Sequence, residues 1–374
     1  MFRNPTVFIL GAGASWHYGY PTGEALVEKV IQKASIILEY LEHSLRAMHS
    51  ERPNYIVENE TPNADLQTQW KRALAECQKL KAGLEQVNPL VIDYYLGWNS
   101  DLQTVGRLLI AWVILECEDR ALDEGRNINR PRQTGAKFGD DWVRFVIHQI
   151  AINCRKSKDL LDNRVSFITF NYDLSLETAL HKGLRHIQVF TESDVSKFLS
   201  GSRIVHIYGK IRDGLSSSQV DWSVQGQHPK QLNELTTGEF HMKFKILLDA
   251  AYLASKGLRV IDPDDKDSND TDLTIARTAI GTAQRIFILG YGFDSNNNER
   301  LNLREFLSYS NQRSNTPVAF TNYQDRNQIN KRASNLFYGN PRALSSNSPA
   351  IVDRYEKSER NTYDALALDF DISN

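Results

Sequence analysis

From Thr6 the chain runs through Val7-Phe-Ile-Leu10 and stops abruptly at Gly11-Ala-Gly-Ala-Ser15. A short apolar run bounded by glycine reads as a buried central strand of a parallel sheet. The residues that follow let the backbone turn sharply and approach a ligand closely, because nothing larger than a methyl group intervenes before Ser15. A helix that begins after such a turn directs free N–H groups and the positive end of its dipole at a pyrophosphate. The opening of the chain therefore points to an α/β layout with a nucleotide as the first ligand to consider, held by Gly11, Ala12, Gly13, Ala14 and Ser15.

The turn departs from the G-x-G-x-x-G pattern of nicotinamide-dependent dehydrogenases. The third glycine of that pattern permits close helix–strand packing, and Trp16 stands in its place. No acidic residue ends a second strand at the expected distance. About twenty residues on, the apolar positions Ile31, Ala34, Ile37, Leu38, Leu41 and Leu45 keep helical spacing instead.

At 374 residues the chain can hold one large domain or two smaller ones. A formal net charge of −2 gives no general attraction to nucleic acid or to an anionic membrane. Cys77, Cys117 and Cys154 are scattered, with no C-x-x-C pair, which fits a reducing compartment and argues against a disulfide framework or a structural zinc site. Met1-Phe-Arg-Asn-Pro5 is too short and polar for a signal peptide. The most apolar run, Leu108 to Leu115, is far below bilayer-spanning length and reads as a buried helix. A cytoplasmic protein is expected.

Helical periodicity extends over Glu24 to Met48, Ala64 to Leu84, Pro89 to Asp119 and Asp140 to Lys158, with loops at 50–63 and 124–139. After residue 160 strands and helices alternate. Strands are expected at Ser166–Phe170, Ile187–Val189, Arg203–Tyr208, Arg285–Leu289 and Pro317–Thr321. Helices are expected at Leu174–His181, Met242–Ala254, Leu273–Thr282, Glu299–Tyr309 and Gln324–Leu336. Such alternation implies right-handed crossovers, a parallel sheet and helices on both faces. The expected domains are 1–23 with 160–340 for the sheet, a helical insertion or cap at 24–159, and a C-terminal tail at 341–374. The acidic stretch Asp262 to Asp272 lacks the glycine and closing glutamate of an EF-hand and reads as a solvated connector. The basic cluster Arg126, Arg130, Arg132 and Lys137 reads as a solvated loop.

The residues that carry chemistry stand at strand ends. Thr169, Asn171 and Asp173 fall beyond a strand's carboxyl end, where open α/β sheets bind ligands. Asn171 offers a donor and an acceptor, while Asp173 either offers a carboxylate or caps the helix that begins near Leu174. His206 and Tyr208 share one strand face, and both can move protons. Gly290-Tyr-Gly292 and Asn322 end two further strands.

Taken together, Gly-Ala-Gly-Ala-Ser followed by Gly19 and Pro21, Thr169-Phe-Asn-Tyr-Asp173, His206-Ile-Tyr-Gly209, Gly290-Tyr-Gly-Phe-Asp294 and Asn322 resemble the sirtuin (silent information regulator) family in order and approximate spacing. The resemblance covers residues 6–23 and roughly 165–325. It implies a Rossmann-like NAD-binding domain that breaks the nicotinamide–ribose bond. Gly11 to Ser15, with Pro21 and Thr169, would line the NAD⁺ site, and the turn would hold the phosphates. Asn171 and Asp173 would sit at the nicotinamide ribose and carboxamide, and Gly290, Tyr291, Gly292 and Asn322 would hold the adenosine side.

Three departures set this chain apart from protein-deacylating members. It has no four-cysteine zinc module and no metal site is expected. The family's Gly-x-Pro-x-Phe-Arg segment is here Gly19-Tyr-Pro-Thr-Gly-Glu24, and Tyr208 replaces the histidine before the motif glycine. The helical section in place of zinc is similar to that of the NAD-hydrolysing bacterial antiphage branch. That likeness implies an NAD⁺ glycohydrolase acting as a homo-oligomer with a HerA-type hexameric ATPase. His206, Tyr208 or, less favoured, His186 would serve as base. A catalytically weak NAD or ADP-ribose sensor, a protein deacylase and a nuclease are the other readings, in falling order.

Overall fold

The computed structural model describes residues 1–49, 64–126, 141–200, 202–211, 248, 250–260, 270–308, 316–339 and 354–372. The loop expected at 50–63, the basic residues 130–137, most of the acidic connector and the start of the helix expected at Met242 lie outside them. Six strands form one parallel sheet: β1 Thr6–Leu10, β2 Val165–Thr169, β3 Ile204–His206, β4 Arg285–Leu289, β5 Val318–Thr321 and β6 Tyr355–Ser358. Their order is β3-β2-β1-β4-β5-β6, which is the order of dinucleotide-binding sheets and makes the fold Rossmann-like. The strand order reverses between β1 and β4, so the crevice-forming end of the sheet lies beyond their carboxyl ends.

β1 is buried at all five positions because it has a neighbour on each side and a layer on each face. Phe8 stands in register with Phe167 on β2 and Phe287 on β4, and the three rings stack at 5.4 and 4.9 Å. This aromatic row faces a core that includes Val143, Val146 and Ile150 from the helix Val143–Ala151 and Leu176, Leu180 and Leu184 from the helix Ser175–Arg185. Phe370 closes the same layer against Phe287. On β5, Phe320 packs against Phe337 of the helix Asn327–Tyr338, with ring centroids 5.5 Å apart.

Several elements differ from the sequence expectation. Ile187–Val189 is a turn, closed by the Ile187 and Phe190 amides, and the helix Glu192–Ser200 follows it. Its apolar residues lean on the core instead of pairing in the sheet. The stretch after residue 340, read as a tail, supplies β6, whose Tyr355 stacks on Phe337 at 4.4 Å. The helix expected over Pro89–Asp119 is broken into Ile92–Trp98, a 3₁₀ turn at Ser100–Leu102 and Gln103–Arg126. The helix expected at Asp140–Lys158 runs only over Val143–Ala151.

The chain divides into two compact units, Met1–Tyr20 with Ala121–Tyr208 and Asp265–Asn374, and Pro21–Arg120 with Gly209–Asp264. The segment from Trp142 to Cys154, expected in the insertion, thus packs with the sheet. In the second unit Leu26, Val27, Val30, Ala34, Ile37 and Leu41 line the buried stripe of the helix Gly23–His49. Cys77 of the helix Ala64–Val87 reaches the Ala34 carbonyl. Burial pushes that thiol up to about 11, which suits an inert packing residue. Leu109 to Leu115 are all buried, as a helix apolar all round requires. No helix among the described residues is long and apolar enough to cross a membrane.

Candidate active site at the carboxyl ends of the strands

The turn after β1 packs backbone to backbone against the turn after β4. Gly11 N–H donates to Leu289 O and Gly13 N–H to Gly290 O, both at 3.0 Å. A Cβ on Gly11 would lie 2.5 Å from Gly290 O, and one on Gly290, whose φ is +59°, would lie 2.2 Å from Ala14 N. Glycine is therefore required at both positions by contact, and at Gly290 by conformation as well. Two residues outside the turn hold it from the other side. Trp142 Nε1–H donates to Ala14 O at 2.8 Å, and Tyr18 Oη–H donates to Asp141 at 2.5 Å. Burial, followed by the Asp141 charge, pushes the Tyr18 phenol well above its ordinary value, so it stays a donor.

Asn171 sits two residues beyond β2, and its Nδ2 is fully committed, donating to Gly11 O at 3.1 Å and Ser15 Oγ at 2.7 Å. A carbonyl only accepts, so the orientation of this amide is decided by chemistry. Its Oδ1 takes no hydrogen bond among the described residues and is not sealed from solvent. Asn171 N–H is bound to Thr169 Oγ1 at 3.1 Å, which accounts for Thr169.

Asp173 is buried, 5% exposed, and accepts from Ser175 N–H at 3.0 Å and from the Ser175 hydroxyl. The Ser15 hydroxyl also reaches this pair, 3.4 Å from Ser175 Oγ. Burial raises the Asp173 carboxyl above the ordinary 3.8, against the pull of Ser175, Ser15 and His206. Asp173 thus starts the helix Ser175–Arg185 and also ties that helix to the β1 turn through Ser15.

His206 ends β3 with both ring nitrogens engaged. Nδ1 lies 2.9 Å from Asn171 O and Nε2 2.8 Å from Glu177 Oε1. Tyr208, two residues on, turns to another partner, with its hydroxyl donating to Asn297 Oδ1 at 2.5 Å and its ring against Phe170 and Tyr172. β3 ends at His206, so strand alternation does not extend to Tyr208. His186 is exposed and caps the far end of the helix Ser175–Arg185, about 16 Å from its start at 1.5 Å per residue. It does not join this cluster.

Tyr291 is buried, stacks on Phe170 at 5.1 Å and donates to Asn298 Oδ1. Beside Gly292 there is open space within 4 Å of a notional Cβ. Asn322 is consumed internally: Nδ2 donates to Arg326 O and Asn330 Oδ1, while Oδ1 accepts from Arg326 N–H. It holds the turn after β5. Pro21 belongs to the second compact unit. No group of three or more metal-binding side chains occurs among the described residues.

Comparison with known proteins finds no matching family model, no matching curated protein and no matching solved structure. The site speaks through its own geometry. Sequence reading missed Trp142, Ser175, Glu177 and Asn297. Ser175 and Glu177 carried a signal, since they stand two and four residues after Asp173 in a first helical turn. Trp142 and Asn297 carried none, because their contacts are long-range.

Proposed function

We propose that the protein cleaves the nicotinamide–ribose bond of NAD⁺, releasing nicotinamide and ADP-ribose. The observation that carries this reading is Asn171. Its amide nitrogen is pinned to the turn after β1, and its Oδ1 is left as an open acceptor beside the point where strand order reverses. The close packing of Gly11 against Gly290 fixes the turn, and the open space beside Gly292 leaves room for a ligand next to it. Departure of nicotinamide builds positive charge on the ribose, and a fixed carbonyl dipole aimed at a ribose hydroxyl or water favours that state. The sirtuin-like order of motifs supports the same substrate. It also supports a role in depleting NAD⁺ during phage infection, and assembly as a homo-oligomer with a HerA-type ATPase.

A second reading is a sensor that binds NAD⁺ or ADP-ribose with little turnover. The favouring observation is that both nitrogens of His206 and the hydroxyl of Tyr208 are engaged with protein groups. Incubation of purified protein with NAD⁺, alone and with a HerA-type ATPase, separates the two when nicotinamide release and NAD⁺ binding are both measured. Turnover that Asn171→Ala abolishes supports the hydrolase. Binding without turnover in every assembly favours the sensor, and absence of both removes both readings.

A further inference from the structure

The main-chain carbonyl of Asn171 lies just past the last β2–β3 ladder bond, in which Ile207 N–H donates to Thr169 O. Beyond that point β3 offers no further amide, and a side chain takes over: His206, the register partner of Thr169, binds Asn171 O. A carbonyl cannot donate, so Nδ1 of His206 carries a proton. The opposite nitrogen is 2.8 Å from a carboxylate oxygen of Glu177, a separation that also demands a proton between the two atoms. Both partners are shielded, with side-chain exposures of 6% for His206 and 18% for Glu177.

We propose that Glu177 is a positioning residue of the site, holding His206 as a double donor so that its Nδ1–H clamps the Asn171 carbonyl and thereby aims the Asn171 amide. Among the described residues, the carboxylates of Glu177, from the first turn of the helix Ser175–Arg185, and of Asp173, from the turn after β2, interact with the imidazole. Both favour the imidazolium, whose hydrogen bonds are stronger than those of the neutral ring. His206 in this role is a clamp and takes no proton from substrate. The clamp itself is independent of what the site binds, whereas its effect on turnover rests on the NAD⁺-cleaving reading.

The experiment compares wild type with Glu177→Gln, using selective ¹⁵N-histidine labelling and steady-state nicotinamide release. His206 is assigned by the signal missing in His206→Gln. Wild type is expected to show both His206 nitrogens protonated at neutral pH. A glutamine at 177 would donate to Nε2, leaving the neutral ring protonated at Nδ1 only. With NAD⁺, kcat should fall roughly ten- to a hundredfold with KM within about twofold, as loss of aim without loss of binding requires. The limb where activity falls with rising pH should move to lower pH. Glu177→Asp, which keeps the carboxylate, should retain the doubly protonated signal and recover part of kcat. Identical His206 spectra in wild type and Glu177→Gln would overturn the proposal, as would an unchanged kcat and pH profile in an active enzyme. If the wild type binds NAD⁺ without cleaving it, the spectra alone decide the clamp and the hydrolase reading is what fails.

Discussion

Asn171 and Asn322 occupy matching places in the fold, each buried just beyond the carboxyl end of a parallel strand. Their hydrogen-bond accounts differ. Asn322 spends its donors and its acceptor within one turn, on Arg326 and Asn330, and Asn330 in turn donates to Asp325. The hydrogen bond from Lys357, then that from Asn330, hold the Asp325 carboxyl below its ordinary value, which completes a closed local network. Asn171 spends its donors on a different strand's turn and keeps its carbonyl oxygen open. One asparagine finishes a structure, and the other is aimed by one.

Gly290 joins the two regions, since its N–H donates to Thr321 Oγ1 next to Asn322 and its carbonyl accepts from Gly13 next to Asn171. Gly290→Ala should therefore damage both ends at once. The left-handed backbone and the 2.2 Å approach to Ala14 N predict a loss of about 2–5 kcal/mol in urea unfolding, together with loss of turnover. Retention of either property would show the two networks to be independent.

Substituting each asparagine by alanine sharpens the contrast further. Asn171→Ala should lower nicotinamide release by about a hundredfold or more, with a smaller loss of stability than Asn322→Ala because it strands only Gly11 O and Ser15 Oγ. Asn322→Ala should do the reverse, costing about 1–3 kcal/mol through its stranded partners while active-site chemistry survives in the folded fraction. A large stability loss at Asn171 with no effect on turnover would invert the assignment.

The smallest effect concerns Asp173. Its folded pKa lies above the unfolded value of 3.8, so the folded state binds the proton more tightly. Its contribution to stability is therefore greatest below that value and declines as pH rises through the raised folded pKa. Asp173→Asn keeps an acceptor for Ser175 and removes this decline. Unfolding midpoints followed from pH 3 to 6, a window set around that ~3.8 reference, should fall less steeply in the variant than in wild type.

The parts of the fold legible in the sequence were those written in local pattern. β1, β4 and β5 are apolar runs next to small or polar residues, and their order with intervening helices gave a parallel sheet. β6 was hidden because only Tyr355 and Ser358 of its four residues are buried, so it carries little apolar signal at the edge of the sheet. Ile187–Val189 misled because an apolar pair flanking Gln188 packs equally well as a turn against the core. At the site, Asn171, Asp173 and the glycine turn were visible as strand-end chemistry. The different partners of His206 and Tyr208 were not visible, since Glu177 and Asn297 lie far from them in sequence. Trp142 was not visible because its partner, Ala14, lies far away in sequence.

The register of β1 has a consequence for how this molecule is made. Thr6 pairs with Val165 on one side and with Arg285 on the other. The central strand is thus the first of the six strands to be synthesised and waits longest for its second neighbour, across loops of roughly 160 and 280 residues whose closure slows folding. Until residue 289 has been synthesised, Val7 to Leu10 has an unpaired edge of the kind that invites wrong partners. Nascent chains stopped before β4 should accordingly be the aggregation-prone species, and rapid folding of the N-terminal half alone would not protect them.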